Sequence, residues 1–334
     1  MYNSPYLRRN TSVRRVMTTV LLAMLPAIAV QSWLFGGALL VQIALASVTA
    51  LLCEALMLSL RRRPLGPALT DMSALVTAWL IAVCLPPLLP WWATVLGTAF
   101  ALVIGKHLYG GLGQNPFNPA MLAYALLIVS FPALMAQWPG LNVGDFAAQM
   151  EWVFGSVRAA DGMTGATPMD ALRTGLLTGG DTAAVMQSTA FGHVAGAGWE
   201  WVALAWGAGG ALLLALRIVT WHVPVAFLLT ISLVAGLASL IDPARFASPA
   251  FHLLAGGTML GAFFIATDPV SGATTPRGKL IFAAGVALIA WLIRAFGAYP
   301  DGIAFAVLLM NICVPLIDMK TQPPVFGHKK GDAP

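Results

Sequence analysis

"VMTTVLLAMLPAIAVQSWLF", residues 16–35, contains no charged side chain. A helix needs roughly 20 apolar residues to cross the hydrocarbon core of a bilayer, and this stretch meets that length. The segment before it, "MYNSPYLRRNTSVRRV", carries the basic flank that also opens a signal peptide. We read 16–35 as a first span retained in the working chain. The same ruler finds about ten spans: 16–35, 37–60, 72–90, 91–106 and 118–135, then 199–219, 223–241, 250–267, 280–298 and 302–317. Composition points the same way, because 59% of the 334 residues are hydrophobic and only 9% are charged. A soluble domain carries about 25% charged residues. So few polar side chains cannot cover a globule in water, and the solvent for this surface is lipid.

The expected fold is therefore an all-α integral membrane protein. It has a first membrane half over 1–135, a long polar loop over 136–198, a second membrane half over 199–319 and a tail over 320–334. Lysine and arginine orient such chains towards the cytoplasm. With the N-terminus inside, fourteen of the eighteen basic residues fall on the inner side: Arg8, Arg9, Arg14, Arg15, Arg61, Arg62, Arg63, Lys106, Arg217, Arg277, Lys279, Lys320, Lys329 and Lys330. The outer side keeps Arg158, Arg173, Arg245 and Arg294. The net charge of +5 thus orients the protein in a membrane, and no nucleic-acid partner is expected. Both termini are expected in the cytoplasm, and the 136–198 loop on the periplasmic side of a bacterial inner membrane. Five spans in each half, an odd number, would place the halves in inverted topology, as in many transporter folds. The last span of each half opens on a proline-containing break, "GQNPFNPAM" at 113–121 and "AYPDGIAF" at 298–305. Irregular backbone at membrane depth survives only where protein or a polar cavity satisfies it, so such breaks mark candidate ion or ligand sites.

The sequence repeats one short phrase. "DGMTGATP" (161–168) and "DPVSGATTP" (268–276) both fit Asp-x-x-(Ser/Thr)-Gly-Ala-Thr. Three expected spans separate Thr167 from Thr274, so the two copies face opposite compartments, the first outside and the second inside. In the first copy Gly165 and Ala166 leave Thr167 uncrowded on a polar loop. No Cys or His stands beside it to make it a nucleophile in its own right. Thr167 reads as the acceptor of a modification, or else as part of a turn in which Thr and Asp satisfy local backbone groups.

The two copies and "GGLGQNPFNPAM" (110–121), taken in order, resemble the D-subunit family of the Rnf electron-transport complex. That family is related to the B subunit of the sodium-pumping NADH:quinone reductase. The resemblance covers essentially the whole chain and implies a flavin-bearing subunit of an ion-translocating oxidoreductase. It implies FMN attached through a phosphoester to Thr167, with Asp161, Thr164, Gly165 and Ala166 completing the signature read by a flavin transferase. Thr274 is expected to stay unmodified. The resemblance also implies a second, non-covalent flavin, riboflavin, within the bundle. Asn115 and Asn118 could hydrogen-bond its ring edge, or cap a helix start with Pro119 at an early position. The implied partners are the other subunits of the complex, including a second covalent-FMN subunit and iron–sulfur subunits. The coupling ion would be Na⁺ or H⁺.

Intramembrane carboxylates are costly and usually line ion routes or pair with another charge. Asp268 is a candidate for an ion path or for a salt bridge with Arg277 or Lys279. Glu54 is a candidate for an ion path or for pairing with Arg61–Arg63. The three cysteines, Cys53, Cys84 and Cys313, stand singly in apolar runs and offer no cluster ligand set. The five histidines are scattered, and tryptophans such as Trp91, Trp92, Trp199 and Trp201 suit an interfacial belt. With no Gly-rich nucleotide fingerprint after a strand, the chain cannot perform the whole redox reaction alone. The rival reading is a solute transporter or channel of inverted-repeat fold, which ten spans and broken helices also suit and which needs no flavin.

Overall fold

The computed structural model describes residues 12–141, 143, 145–155 and 162–322. The first half runs α1 (Val13–Phe35), α2 (Ala38–Leu60), α3 (Leu65–Leu69), α4 (Ser73–Cys84) and α5 (Trp91–Phe100), then α6 (Pro119–Ser130) and α7 (Pro132–Met135). The connecting region holds β1 (Trp138–Pro139), α8 (Phe146–Phe154), β2 (Thr164–Gly165), α9 (Pro168–Leu177) and α10 (Thr182–Val185). The second half runs α11 (Trp199–Ala215), α12 (His222–Ile241), α13 (Pro249–Leu254), α14 (Thr258–Leu260), α15 (Pro276–Phe296) and α16 (Ile303–Thr321). π-helical turns continue α5 over Ala101–His107 and α14 over Gly261–Ile265.

Among the described residues, 6 segments are long and apolar enough to cross a membrane: α1, α2, α3 with α4, α12, α15 and α16. Two more apolar helices, α6 and α11, are shorter. The expected spans 72–90 and 91–106 are a 12-residue α4, a proline-rich connection and a helix that turns π-helical. The expected span 250–267 is divided at Ala255–Gly257. Backbone breaks are thus more numerous than the two read from the proline motifs. Each interrupts hydrogen bonding inside a segment that apolar composition alone would continue.

Local chemistry sets the helix starts. Asn118, Thr167, Ser248 and Thr275 each cap the helix that follows with a side-chain oxygen, and each is followed by proline at the first helical position. That pairing satisfies an orphan N–H and fills the position where the missing proline N–H does no harm. Packing then joins the elements. α1 lies along α11, α2 along α4 and α5, α12 along α15, α15 along α16, and α6 meets α16 between the halves. Close approach is enforced at Gly209, where an added Cβ would sit 2.1 Å from the Ala23 carbonyl oxygen on α1. Small residues let membrane helices approach in this way. The outward faces are apolar, with Leu52, Leu56, Leu233 and Leu237 all exposed, as a lipid-solvated bundle requires.

The connecting region folds back on one end of the bundle. Met169 and Leu172 of α9 pack with Ala247, Phe251 and Ala255. Trp152 and Val153 of α8 pack with Ala38 and Leu88, and Gln149 Oε1 accepts a 3.0 Å hydrogen bond from the Ala38 amide. The loop is a cap over the helix ends. Of the expected tail, only 320–322 falls within the described residues.

Candidate functional site

The two copies of the repeated motif lie at opposite ends of the bundle, each beside its own cavity. α4 links them: Ser73 at its start borders one cavity, and Val83 and Cys84 at its end border the other.

At the Thr167 end the cavity is about 130 Å³. Thr164 and Gly165 pair antiparallel with Pro139 and Trp138, which sets the approach of the motif to the bundle. Trp138 meets Trp199 edge-on at 5.3 Å, and Trp199 leans on Phe35 at 4.7 Å. Ala166 is exposed and Thr167 half-buried. Among the described residues the Thr167 hydroxyl oxygen accepts only a long 3.3 Å bond from the Asp170 amide, and Thr167 borders the cavity together with Trp138, Tyr124, Trp199 and Asp301. Asp161 lies outside the described residues. The opposite wall is braced by charge. The Arg294 guanidinium contacts Asp301 through Nε and Nη2 at 3.1–3.2 Å, and the Gly257 amide donates to Asp301 Oδ2 at 2.8 Å. Gly256 sits at φ +64, where a Cβ would meet that carboxylate at 2.6 Å, so glycine is required in this break. Arg173 of α9 donates to the carbonyls of Gly297 and Tyr299, fastening the helix after Thr167 to the α15–α16 connection.

The second cavity, about 160 Å³, is bordered by Ser73, Lys106, Asn115, Asn118 and Asp268. Asn118 caps α6, accepting from the Ala120 and Met121 amides at 3.0 and 3.2 Å. Its own amide donates to Asn311 Oδ1 at 3.1 Å, and Asn311 Nδ2 donates to the Ser271 carbonyl at 2.9 Å. Asn115 Nδ2 donates to the Phe117 carbonyl at 3.0 Å. Asp268 accepts from the Ser271 hydroxyl at 2.6 Å and the Val270 amide at 3.2 Å. Neither Arg277 nor Lys279 pairs with it among the described residues. Beyond the end of the span, burial pushes the Asp268 carboxyl up, and those hydrogen bonds oppose the shift. The second motif is thereby tied, through Asn311, to the broken start of α6.

Glu54 does not pair with the Arg61–Arg63 cluster. Its carboxylate oxygens accept from Lys106 Nζ at 3.0 and 2.8 Å, and Ser73 Oγ takes the third ammonium bond at 2.9 Å. His107 Nε2 lies 3.0 Å from the same carboxylate, while Arg61 reaches the His107 carbonyl. Lys106 and Arg294 thus occupy corresponding places, each buried near the end of a helical segment beside a backbone break, but at opposite ends of the bundle. Neither is a surface charge of the kind that orients a chain. Sequence reasoning missed Asn311, Tyr124 and Asp301. Asn311 was findable as a polar residue within the apolar run "IAFAVLLMNICVPLI" (303–317). Asp301 was findable as the carboxylate in the second proline break.

Residues 1–327 match the model of the NQR2, RnfD, RnfE family. The chain belongs to that family. Relatives include the D subunit of the ion-translocating oxidoreductase complex of Escherichia fergusonii, 51% identical over 346 residues and covering 98% of each chain. Proteins of the same name from Escherichia coli O139:H28 and Escherichia coli K12 are likewise 51% identical, with 98% of each chain covered. The family assignment agrees with the resemblance carried by the motifs at 110–121, 161–168 and 268–276.

Proposed function

We propose that this member of the NQR2, RnfD, RnfE family is the flavin-bearing membrane subunit of an ion-translocating oxidoreductase complex. The observation that carries the reading is the Thr167 hydroxyl, weakly engaged and half-exposed at the mouth of an aromatic cavity. The residues fit FMN there. Thr167 offers an accessible oxygen for a phosphoester, and Trp138, Trp199 and Tyr124 offer faces and edges against which an isoalloxazine could rest. A bound flavin would supply exchange between two-electron and one-electron carriers. The chain's own part is to hold the attachment threonine at a helix start, keep that helix fastened through Arg173, and exclude bulk water with the capping loop. Asp161, Thr164, Gly165 and Ala166 serve recognition by the flavin transferase. The iron–sulfur and nucleotide or ferredoxin steps belong to partner subunits, among them a second covalent-FMN subunit.

The second cavity is proposed to take riboflavin, with the Asn115 and Asn118 side chains at its wall and Asp268 at its edge. Asn118 also caps α6, so the two roles coexist. Asp268 and Glu54 are the proposed points on an Na⁺ or H⁺ path, Glu54 acting with Lys106 and His107 as one buried charged group. The inverted repeat is likewise a proposal. It is supported by the matched packing of α2 on α5 and α12 on α15, and by the buried cations Lys106 and Arg294 beside breaks at opposite ends. The orientation with both termini cytoplasmic and the capping loop periplasmic in a bacterial inner membrane follows from the basic-residue bias.

The deciding experiment is peptide mass spectrometry of protein purified from cells that make the transferase, with in-gel flavin fluorescence of Thr167→Ala and Thr274→Ala. An FMN-sized adduct on the Thr167 peptide, lost only in the first variant, is the expected result. Absence of flavin from both peptides would favour a solute transporter or channel.

A further inference from the structure

A third cavity, about 590 Å³, is larger than either of the two above. It lies at the Thr167 end, between α9, the α12–α13 connection and the end of α15, and it is separate from the Thr167 hydroxyl. Two residues on its wall, Trp291 and His252, carry buried nitrogens, Nε1 and Nδ1, that find no hydrogen-bond partner among the described residues. Both residues are 6% exposed, so water at the surface does not reach them freely. An indole N–H can only donate, and leaving it unpaired in a buried position costs about 1–3 kcal/mol. With no partner among the described residues, the Trp291 donor is open to an acceptor oxygen from outside the chain.

The charges around the cavity have both signs. The Arg245 guanidinium rides over the Phe246 and Phe296 rings at 5.5 and 5.6 Å, which holds a cation at the rim. Arg173 stands on the wall with its Nη1 on backbone carbonyls, and Arg294 is neutralised by Asp301. Asp181 and Asp242 complete the lining. A purely anionic ligand would meet those two carboxylates, whereas a ligand carrying a phosphate and an ammonium would meet opposite charges for both. The apolar surroundings say what such a head is attached to. On α12, Leu233, Leu237, Leu240 and Ile241 are 63%, 62%, 83% and 84% exposed, ending beside Asp242 at the cavity. Phe296, 59% exposed, ends α15 at the same place. Exposed residues at that spacing form a lipid-facing stripe, and it runs directly to the cavity.

We propose that this cavity holds the headgroup of one zwitterionic phospholipid. Its phosphodiester oxygens lie towards Arg173, Arg245 and the Trp291 N–H, its ammonium towards Asp181 and Asp242, and its acyl chains along α12 and α15. The site clamps α9 to the bundle through lipid, and it stands independently of the flavin reading.

The test uses the full chain purified within its membrane complex in detergent, with native mass spectrometry counting retained phospholipid. Delipidated protein is then re-exposed to phosphatidylethanolamine, to phosphatidylglycerol, or to millimolar inorganic phosphate. One phosphatidylethanolamine should be retained per chain, in preference to phosphatidylglycerol. Trp291→Phe keeps the ring and deletes the N–H, and Arg245→Gln removes the rim cation. Each should weaken retention roughly tenfold, the loss expected for one hydrogen bond to a charged group. Delipidated variants should melt at the same temperature as the delipidated parent, which separates loss of lipid from loss of fold. Four outcomes would overturn the proposal: no retained lipid in the parent complex, retention by both variants at the parental level, phosphatidylglycerol held as well as phosphatidylethanolamine, or inorganic phosphate alone raising the melting temperature as far as the lipid does.

Discussion

Thr167 and Thr274 occupy the same position in two copies of one motif, and they differ in how firmly each hydroxyl is held. Thr274 is tied down: its amide and its hydroxyl both donate to the Asp318 carboxylate, the hydroxyl at 2.9 Å. The helix-capping role in that copy has moved one residue on, to Thr275, which accepts from the Gly278 amide at 2.9 Å and precedes Pro276. In the first copy Thr167 is itself the cap before Pro168, with a single 3.3 Å bond among the described residues, beside a cavity with aromatic walls. The extra threonine in "GATTP" separates two jobs that "GATP" leaves on one residue. Identical letters therefore yield a weakly engaged hydroxyl on a half-buried residue at one end and a firmly engaged hydroxyl on an exposed residue at the other. A modification motif has to be read together with what holds its hydroxyl.

The sharpest way to break this contrast is to exchange the threonines. Thr167→Ala should abolish covalent flavin completely, while Thr274→Ala should leave in-gel fluorescence at the parental level. Equal fluorescence from both variants would erase the distinction. The buried charges come next in size. Lys106→Met leaves the Glu54 carboxylate with His107 beside it and no ammonium, and losing one partner of a buried pair costs about 3–5 kcal/mol. A large fall in melting temperature is expected, with much of it recovered in the Glu54→Gln/Lys106→Met double variant. Arg294→Met should produce a comparable fall at the Thr167 end if the two cations are equivalent braces. A loss confined to one end would break that equivalence.

Smaller effects sharpen the comparison. Asn311→Leu removes the acceptor for the Asn118 amide and the donor to the Ser271 carbonyl, leaving buried groups unpaired at about 1–3 kcal/mol. It should destabilise the protein and loosen the second motif, read as faster hydrogen exchange over 268–275, with the 162–170 region unchanged. The smallest effect is expected at the cap of α15. Thr275→Ala should cost about 1 kcal/mol, typical for a lost N-cap, in thermal denaturation of the purified protein. It should leave flavin content alone.

Much of the bundle was legible in the sequence because lipid imposes a coarse rule on composition. The runs at 16–35 and 37–60 match α1 and α2 within a few residues, since a helix that long and apolar has few alternatives. The run at 250–267 did not behave so simply. Its interior Ala-Gly-Gly opens the backbone, and a hydropathy window registers those residues as apolar without registering that Gly256 takes a positive φ. Glu54 was visible as an anomaly in a span, but its partner was not. The nearest basic residues in the chain are Arg61–Arg63, while the residue that meets it, Lys106, is brought by a different helix from 52 positions away. The same holds for Asn118 and Asn311, which are 193 positions apart and meet only because α6 packs on α16.

The sequence by itself determined the solvent, the approximate spans, the helix caps at cap–proline pairs and the existence of a repeated motif. Each of these rests on local composition or on hydrogen bonds reaching no further than a few residues. Only the tertiary structure decided how firmly each threonine hydroxyl is held, which cation neutralises which carboxylate and where the cavities open. Those outcomes depend on side chains from distant segments arriving at one place in a medium of low polarity, where an unpaired charge or donor is too costly to leave without a partner.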